Sequence, residues 1–142
     1  MKKFLMITVL AFLMNAIHSQ DLKPSDVPAN VKSALIKKYP EAKNVNWEKE
    51  KQNYEANWGG KSKEDNSVQL TPAGDFIEIV KAMPVNQLPK AITTYIKSNY
   101  KGMKIAEAGK VTDAQGKKTY EVEVNRKDLI FDENGNFIKA EK

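Results

Sequence analysis

Side chains that could catalyse a reaction are scarce in this chain of 142 residues, which has no cysteine and one histidine, His18. Nucleophilic catalysis needs a base beside the nucleophile. His18 lies in a segment that we expect to be removed, so serine–histidine pairs are excluded from the mature chain. Serine–lysine pairs remain conceivable (Ser33 with Lys32 or Lys37, Ser98 with Lys97), but lysines on a solvated helix face stay charged. We predict that the protein is not an enzyme and uses no cofactor.

Two groups of acidic residues deserve comparison with known sites. Glu121 and Glu123 share one face of a predicted strand, and a glycosidase places two acids about 5–9 Å apart. The polar side of a half-exposed strand explains them more simply. The segment 132–136, Asp-Glu-Asn-Gly-Asn, is similar to a calcium loop, but an EF-hand needs glycine at its sixth position and Gly135 is fourth. An Asn-Gly turn is the better interpretation, and we predict no metal site.

Aromatic residues are the remaining candidates for a binding site. Exposed aromatic side chains on a sheet are common anchors for a partner, whereas buried ones fill the core. Trp47 stands between two polar residues, and no helix residue is required to pack against it. We predict a binding site for a protein or peptide that includes four aromatic residues: Trp47, Tyr54, Trp58 and Tyr120.

The N-terminal segment has the features of a secretory signal peptide. Lys2 and Lys3 precede an apolar run of eleven residues, 4–14, and a short polar stretch follows. A membrane-spanning helix would need about 20 apolar residues. We therefore predict a signal peptide at residues 1–19, cleaved after Ser19 or alternatively after Ala16. The mature protein is expected to be periplasmic or secreted, with no membrane span.

The charges of the mature chain alternate in sign along the sequence. Removing Lys2 and Lys3 from the 23 basic residues leaves 21, against 18 acidic ones. Residues 48–51, Glu-Lys-Glu-Lys, are typical of the mixture. Nucleic-acid binding usually needs a patch of a single sign. We therefore predict that the partner is not a nucleic acid.

An internal repeat organises the mature chain. The segment Val27-Pro28 returns as Leu88-Pro89, and residues 74–77, Gly-Asp-Phe-Ile, return as residues 135–138, Gly-Asn-Phe-Ile, both at an offset of 61. Between these segments, 54–58 matches 120–124 at an offset of 66. The spacing predicts two related units, 22–83 and 84–142.

Each unit is predicted to start with a helix and continue with four strands. Val27, Val31, Leu35 and Tyr39 form one apolar stripe, and a similar stripe runs from Leu88 to Tyr100, with Asp26 and Asn86 as the expected caps. Period-two alternation predicts the strands: 44–49, 54–58, 68–71 and 76–82 in the first unit, and 104–112, 120–124, 129–132 and 136–141 in the second. The predicted fold class is α+β, a tandem repeat of two units, each one helix packed on a four-stranded antiparallel sheet.

The order of these motifs resembles the PepSY-like, beta-lactamase-inhibitor-like family of secreted bacterial proteins, over about residues 26–142. The resemblance implies tandem helix-on-sheet units outside the cytoplasm and no assigned activity. The inhibitor that gives the family its name grips its enzyme with the concave face of its joined sheets. Its disulfides have no counterpart here, so inhibition of a beta-lactamase does not transfer. We predict a non-enzymatic, inhibitor-like binding protein that engages an unknown protein or peptide through a sheet face. The alternative is a structural or self-associating component of the cell envelope.

Overall fold

The computed structural model describes residues 20–141, so the predicted signal peptide lies outside the described residues. Nine antiparallel strands form one sheet in which every strand neighbours the next one along the chain. Two helices and two short 3-10 turns complete this part of the chain. The elements are β1 (Gln20–Leu22), α1 (Ala29–Lys38), β2 (Asn46–Glu50), β3 (Asn53–Trp58), β4 (Asn66–Leu70), β5 (Phe76–Ala82), α2 (Lys90–Asn99), β6 (Ile105–Asp113), β7 (Lys118–Val124), β8 (Lys127–Asp132) and β9 (Phe137–Glu141).

The predicted fold class, a tandem of two units that are each one helix on a four-stranded sheet, is wrong. β5 pairs with β6 from Glu78↔Asp113 to Ala82↔Gly109, so the strands of both halves belong to a single, mostly β architecture. Alternation in the sequence locates strands but says nothing about where a sheet ends, because unpaired backbone groups at a strand edge accept any suitable strand. β1 was also missed, since three residues are too few for a periodic signal. The boundaries 22–83 and 84–142 stay a prediction.

Both helices lie on the same face of the sheet. Ile79 belongs to the apolar cluster beneath α1, and Lys81, two residues further along β5, points to the same side. Lys81 pairs with Lys110, which pairs with Tyr120, and Tyr120 packs against the cluster beneath α2. We call this side the helix face. The opposite side, which no helix of residues 20–141 covers, is the open face.

The apolar stripes of the helices form two clusters on the helix face. Val31 and Leu35 of α1 pack over β2–β5, and Ile92 and Ile96 of α2 pack over β6–β9. The helices begin at Ala29 and Lys90, each directly after a proline, with no side-chain capping bond. The predicted caps, Asp26 and Asn86, are therefore wrong. A proline before the first helical residue fixes the backbone there, and its missing N–H leaves no donor to satisfy.

One glycine brings the β8–β9 hairpin against the start of α2. Gly135 has φ +86°, in the left-handed region that side chains disfavour, and an added Cβ would lie 2.9 Å from the Ala91 Cβ. Gly116, in the β6–β7 hairpin, has a similar φ of +82° but no heavy atom within 4 Å of an added Cβ. A side chain at Gly116 would therefore add backbone strain alone, whereas a side chain at Gly135 would add both backbone strain and a steric clash.

We expect Gly116→Ala to lower the free energy of unfolding by about 1–2 kcal/mol, the strain of a left-handed alanine. Gly135→Ala should cost more, because it adds a contact that the first turn of α2 must move to relieve. Urea denaturation of both variants measures the difference. Equal losses would contradict the close approach between the hairpin and the helix.

A second prediction concerns Trp47, which is 5% exposed within the first cluster. Trp47→Ala should lower the free energy of unfolding by about 3–5 kcal/mol, because a large buried side chain is replaced by a cavity. Ile36→Ala is the control, since Ile36 is 48% exposed on α1, and it should change stability by less than about 0.5 kcal/mol. A Trp47→Ala protein that melts like the parent would show that this side chain is not part of the core.

Candidate binding face

The four aromatic residues singled out in the sequence lie on the helix face and do not meet in one patch. Trp47 and Trp58 are buried in the first cluster, where the Trp58 ring lies 5.6 Å from the ring of Tyr39. Tyr54 is half-buried against that cluster and carries the Lys49 Nζ 3.7 Å from its ring centroid. Tyr120 packs against the second cluster. A binding role for them stays a prediction, and a partner would find little tryptophan surface to contact here.

The open face carries two rows of side chains that cross the strands. The first acidic row crosses β1 to β6, and its members are directly paired neighbours: Asp21, Glu48, Glu55, Gln69, Glu78 and Asp113. The second acidic row crosses β6 to β9 in the same way: Glu107, Glu123, Asp128 and Glu141. Directly opposed residues on one face have Cβ atoms about 4.5–5.5 Å apart, so each row crowds like charges together.

Charge is divided between the two faces of the sheet. All twelve acidic residues within the strands lie on the open face: the nine acids of the two rows, and Glu50, Glu121 and Asp132. Five of the six strand lysines lie on the helix face: Lys49, Lys81, Lys110, Lys118 and Lys127. The sixth, Lys139, forms an ion pair with Glu141. Successive side chains of a strand point to opposite faces, so a sequence in which acids and lysines alternate gives one acidic face and one basic face.

Burial among like charges raises the pKa of several of these carboxyl groups. Glu55 is 6% exposed, and burial followed by the charges of Glu48 and Glu50 raises its pKa to about 7, although Ser67 Oγ donates a hydrogen bond of 2.9 Å to its Oε1. Burial and three acidic neighbours raise the pKa of Asp128 to about 6. Burial also raises the pKa values of Glu107 and Glu123. The free protein therefore holds these acids at an energetic cost.

Two oxygen atoms on this face are buried without a hydrogen-bond partner. One is Oδ1 of Asn57, a side chain only 2% exposed, whose Nδ2 donates to Glu48 Oε1 at 3.5 Å. The other is Oε2 of Glu107 in the second acidic row. A buried polar atom left without a partner costs about 1–3 kcal/mol. Both atoms are acceptors, so a molecule that satisfies them must bring hydrogen-bond donors.

Residues 20–141 contain neither a cluster of metal ligands nor a helix that could span a membrane. Within residues 20–141, no group of three histidine, cysteine, aspartate or glutamate side chains is placed to hold a metal ion. In the same range, neither helix is long and apolar enough to cross a membrane. Glu121 and Glu123 do share the open face, as predicted for one strand face.

The sequence model of a known family covers almost the whole chain. Its description is "Putative beta-lactamase-inhibitor-like, PepSY-like", and it matches twice, at residues 13–78 and 61–139. The chain belongs to this family. The resemblance drawn from the sequence motifs is therefore confirmed. No curated protein matched the chain.

Solved structures of low sequence identity share the fold. A "putative periplasmic" protein from Bacteroides eggerthii is 18% identical, with a TM-score of 0.69 over 81% of this chain and 88% of that one. A DUF2874 family protein from Bacteroides uniformis is 22% identical, with a TM-score of 0.68 over 80% and 87%. A BLIP-like protein from Bacteroides fragilis is 21% identical, with a TM-score of 0.64 over 80% and 84%. The location predicted from the sequence, periplasmic or secreted, agrees with the first description.

Sequence reasoning missed the acidic open face, although a signal for it was present. Acidic residues recur at every second position in two segments of the chain, 48–50 and 121–123, and Asp128 and Asp132 share the same parity four residues apart. Counting charges by strand face, rather than along the chain, would have shown that lysines and acids point to opposite faces in every strand that has both except β9. The sequence still could not align the strands with one another, and alignment is what gathers these residues into rows.

The raised pKa of Glu55 predicts a pH dependence of stability. The groups that face it are Glu48 and Glu50 from β2, Ser67 and Gln69 from β4, and Asn57 on its own strand. Because the folded chain holds this proton up to about pH 7 and the unfolded chain releases it near its ordinary pKa, stability is full at low pH and is lost as the pH rises through that window. Glu55→Gln, which keeps an acceptor for Ser67, should stabilise the chain at about pH 8, by at most about 1.4 kcal/mol for each unit by which folding raises the pKa of Glu55. At about pH 5 the same substitution should change stability little.

Denaturant unfolding at both pH values measures the effect, with the exposed loop acid Glu133 changed to glutamine as the control. Asp128 has its pKa raised in the same direction, so the parent chain should also unfold more easily at about pH 8 than at about pH 5. A parent chain that becomes more stable over this interval would refute the assignment of buried, crowded acids.

Proposed function

We propose that this chain is a non-enzymatic binding protein, outside the cytoplasm, that holds a protein or peptide on its open face. The carrying observation is that this face spans nine strands, is covered by no helix of residues 20–141, and contains buried oxygen atoms such as Asn57 Oδ1 that lack a partner. A bound partner would satisfy those atoms and would shield the acidic rows. The inhibitor-like description of the family supports the same kind of role.

We also propose that the face arose by duplication of one unit. The pairing of β1 with β2 includes Leu22↔Trp47, and 61 residues later the Met83 N–H donates to the Ala108 carbonyl at 2.9 Å. Gly74 approaches Asn30 of α1, and Gly135 approaches Ala91 of α2, again 61 residues apart in both members. On this proposal two copies of an inhibitor-like unit contribute one continuous binding surface.

Site-specific cross-linking tests which face a partner occupies. A photoreactive phenylalanine is placed at Ala82, which is exposed on the open face of β5, and in a matched chain at Ile36, which is exposed on α1. Irradiation of cells that export the chain should give a discrete adduct from Ala82 and none from Ile36. The partner is then purified. It should bind the parent chain, lose about tenfold in affinity for Ala82→Trp, and keep its affinity for Ile36→Trp.

The outcomes separate the two candidate functions. Adducts from Ile36 alone, or equal adducts from both positions, would contradict binding on the open face. An adduct made of two copies of this chain would favour the alternative, a self-associating envelope component. One observation supports that alternative: Ile138 is 46% exposed on β9, whose outer edge is paired with no strand in the described part of the chain.

A further inference from the structure

We propose that the occupant of the open face is a cationic polypeptide segment, and that its lysine or arginine side chains lie along the first acidic row. This inference rests on the proposed function and specifies its partner. It begins with the division of charge, because twelve strand acids on one face and a single lysine among them make a surface far more negative than the chain as a whole. Complementary charge attracts a partner and orients its approach.

The need for hydrogen-bond donors points to the same chemistry independently of charge. Asn57 Oδ1 is an acceptor on a side chain that is 2% exposed, it lies on the open face two residues from Glu55, and it has no partner. Lysine and arginine side chains carry several donors and no acceptor. A segment that presents them would satisfy this atom and the carboxylates beside it, whereas an acidic or acceptor-rich partner would do neither.

The first acidic row is favoured over the second as the centre of the site. Lys139 already forms an ion pair with Glu141 and so supplies one positive charge to the second acidic row. The first acidic row has five acids and one glutamine, and no strand lysine on its face between β1 and β6. Burial first, and then the charges of Glu48 and Glu50, raise the pKa of Glu55 in this row, so an arriving cation would relieve a repulsion that the free protein carries.

The dimensions of the row define the length of the segment. Adjacent strands lie about 4.8 Å apart, so six strands span about 24 Å. An extended peptide advances about 3.3 Å per residue, so about seven or eight residues cover the row. A single metal ion is a poorer match, because no three acids of the described residues are placed to hold one.

Octalysine with blocked ends is the probe, and binding is measured by calorimetry at about 50 mM and about 500 mM salt. We expect it to bind the parent chain and to lose about tenfold or more in affinity at the higher salt, while octaglutamate does not bind. In the ¹⁵N spectrum of the parent chain, octalysine should shift the amides of β2 to β5 more than those of α1 and α2. This mapping needs no variant, so it does not depend on a substituted chain folding.

Two triple variants with the same change in net charge test the row, one of them by removing two of its acids and their open-face neighbour Glu50. The face triple is Asp21→Asn, Glu48→Gln and Glu50→Gln, and the control triple is Asp26→Asn, Glu41→Gln and Glu133→Gln, whose sites are exposed and lie outside the strands. The face triple should lose about tenfold in affinity for octalysine, and the control triple should stay within about twofold.

Each remaining outcome would overturn the inference. These are absence of octalysine binding, equal losses in both triples, amide shifts confined to the helices, and binding of Mg²⁺ alone that the face triple abolishes. If octalysine fails while the Ala82 cross-link still captures a partner that binds when purified, the proposed function stands and only the cationic identity is wrong. If octalysine binds the open face while no partner is captured, the cationic preference stands and the proposed function lacks its support.

Discussion

Five consecutive residue pairs between β5 and β6 join the two halves of this protein into one layer. Backbone hydrogen bonds make that junction together with the buried side chains of Val80 and Val111, and they fix the relative orientation of the two halves of the sheet. Because β5 and β6 belong to one continuous sheet, the side of β5 that faces α1 continues as the side of β6 that faces α2. The two helices therefore lie on the same face. The opposite face is then a single surface nine strands wide. Without this ladder there would be two smaller sheets and no common surface.

The open face carries buried acids that a protein selected for stability alone would avoid. Directly opposed like charges are destabilising, and several carboxyl groups here have pKa values raised by burial and by one another. The helix face compensates by concentrating the apolar contacts: Phe131, Leu35, Leu70, Ile92 and Leu129 are among the largest fully buried side chains. The main apolar packing and the crowded acids thus lie on opposite sides of the same strands.

Much of this architecture is visible in the sequence, and the missing part has a physical reason. The apolar stripes and the prolines place α1 and α2 to within a few residues, and alternation places eight of the nine strands. The pairing of β5 with β6 could not be predicted from the sequence, because hydrogen bonds between backbones do not depend on side-chain type. Trp47 shows the same limit, since its polar neighbours Asn46 and Glu48 suggest exposure. In a strand those neighbours point away from it, and its own side chain is buried.

The alternation of charge has a further consequence, for the pairing of the strands themselves. A strand that slips by one residue against its neighbour exchanges its two faces. In β2 such a slip would carry Glu48 and Glu50 beneath α1 and would expose Trp47, while in β7 it would carry Glu121 and Glu123 into the second core. A slip by one residue in either of these strands would therefore bury carboxylates against apolar side chains. The acids of the open face therefore help to specify the register of the strands, because they destabilise pairings that are shifted by one residue. This sheet has no disulfide to hold its strands in register.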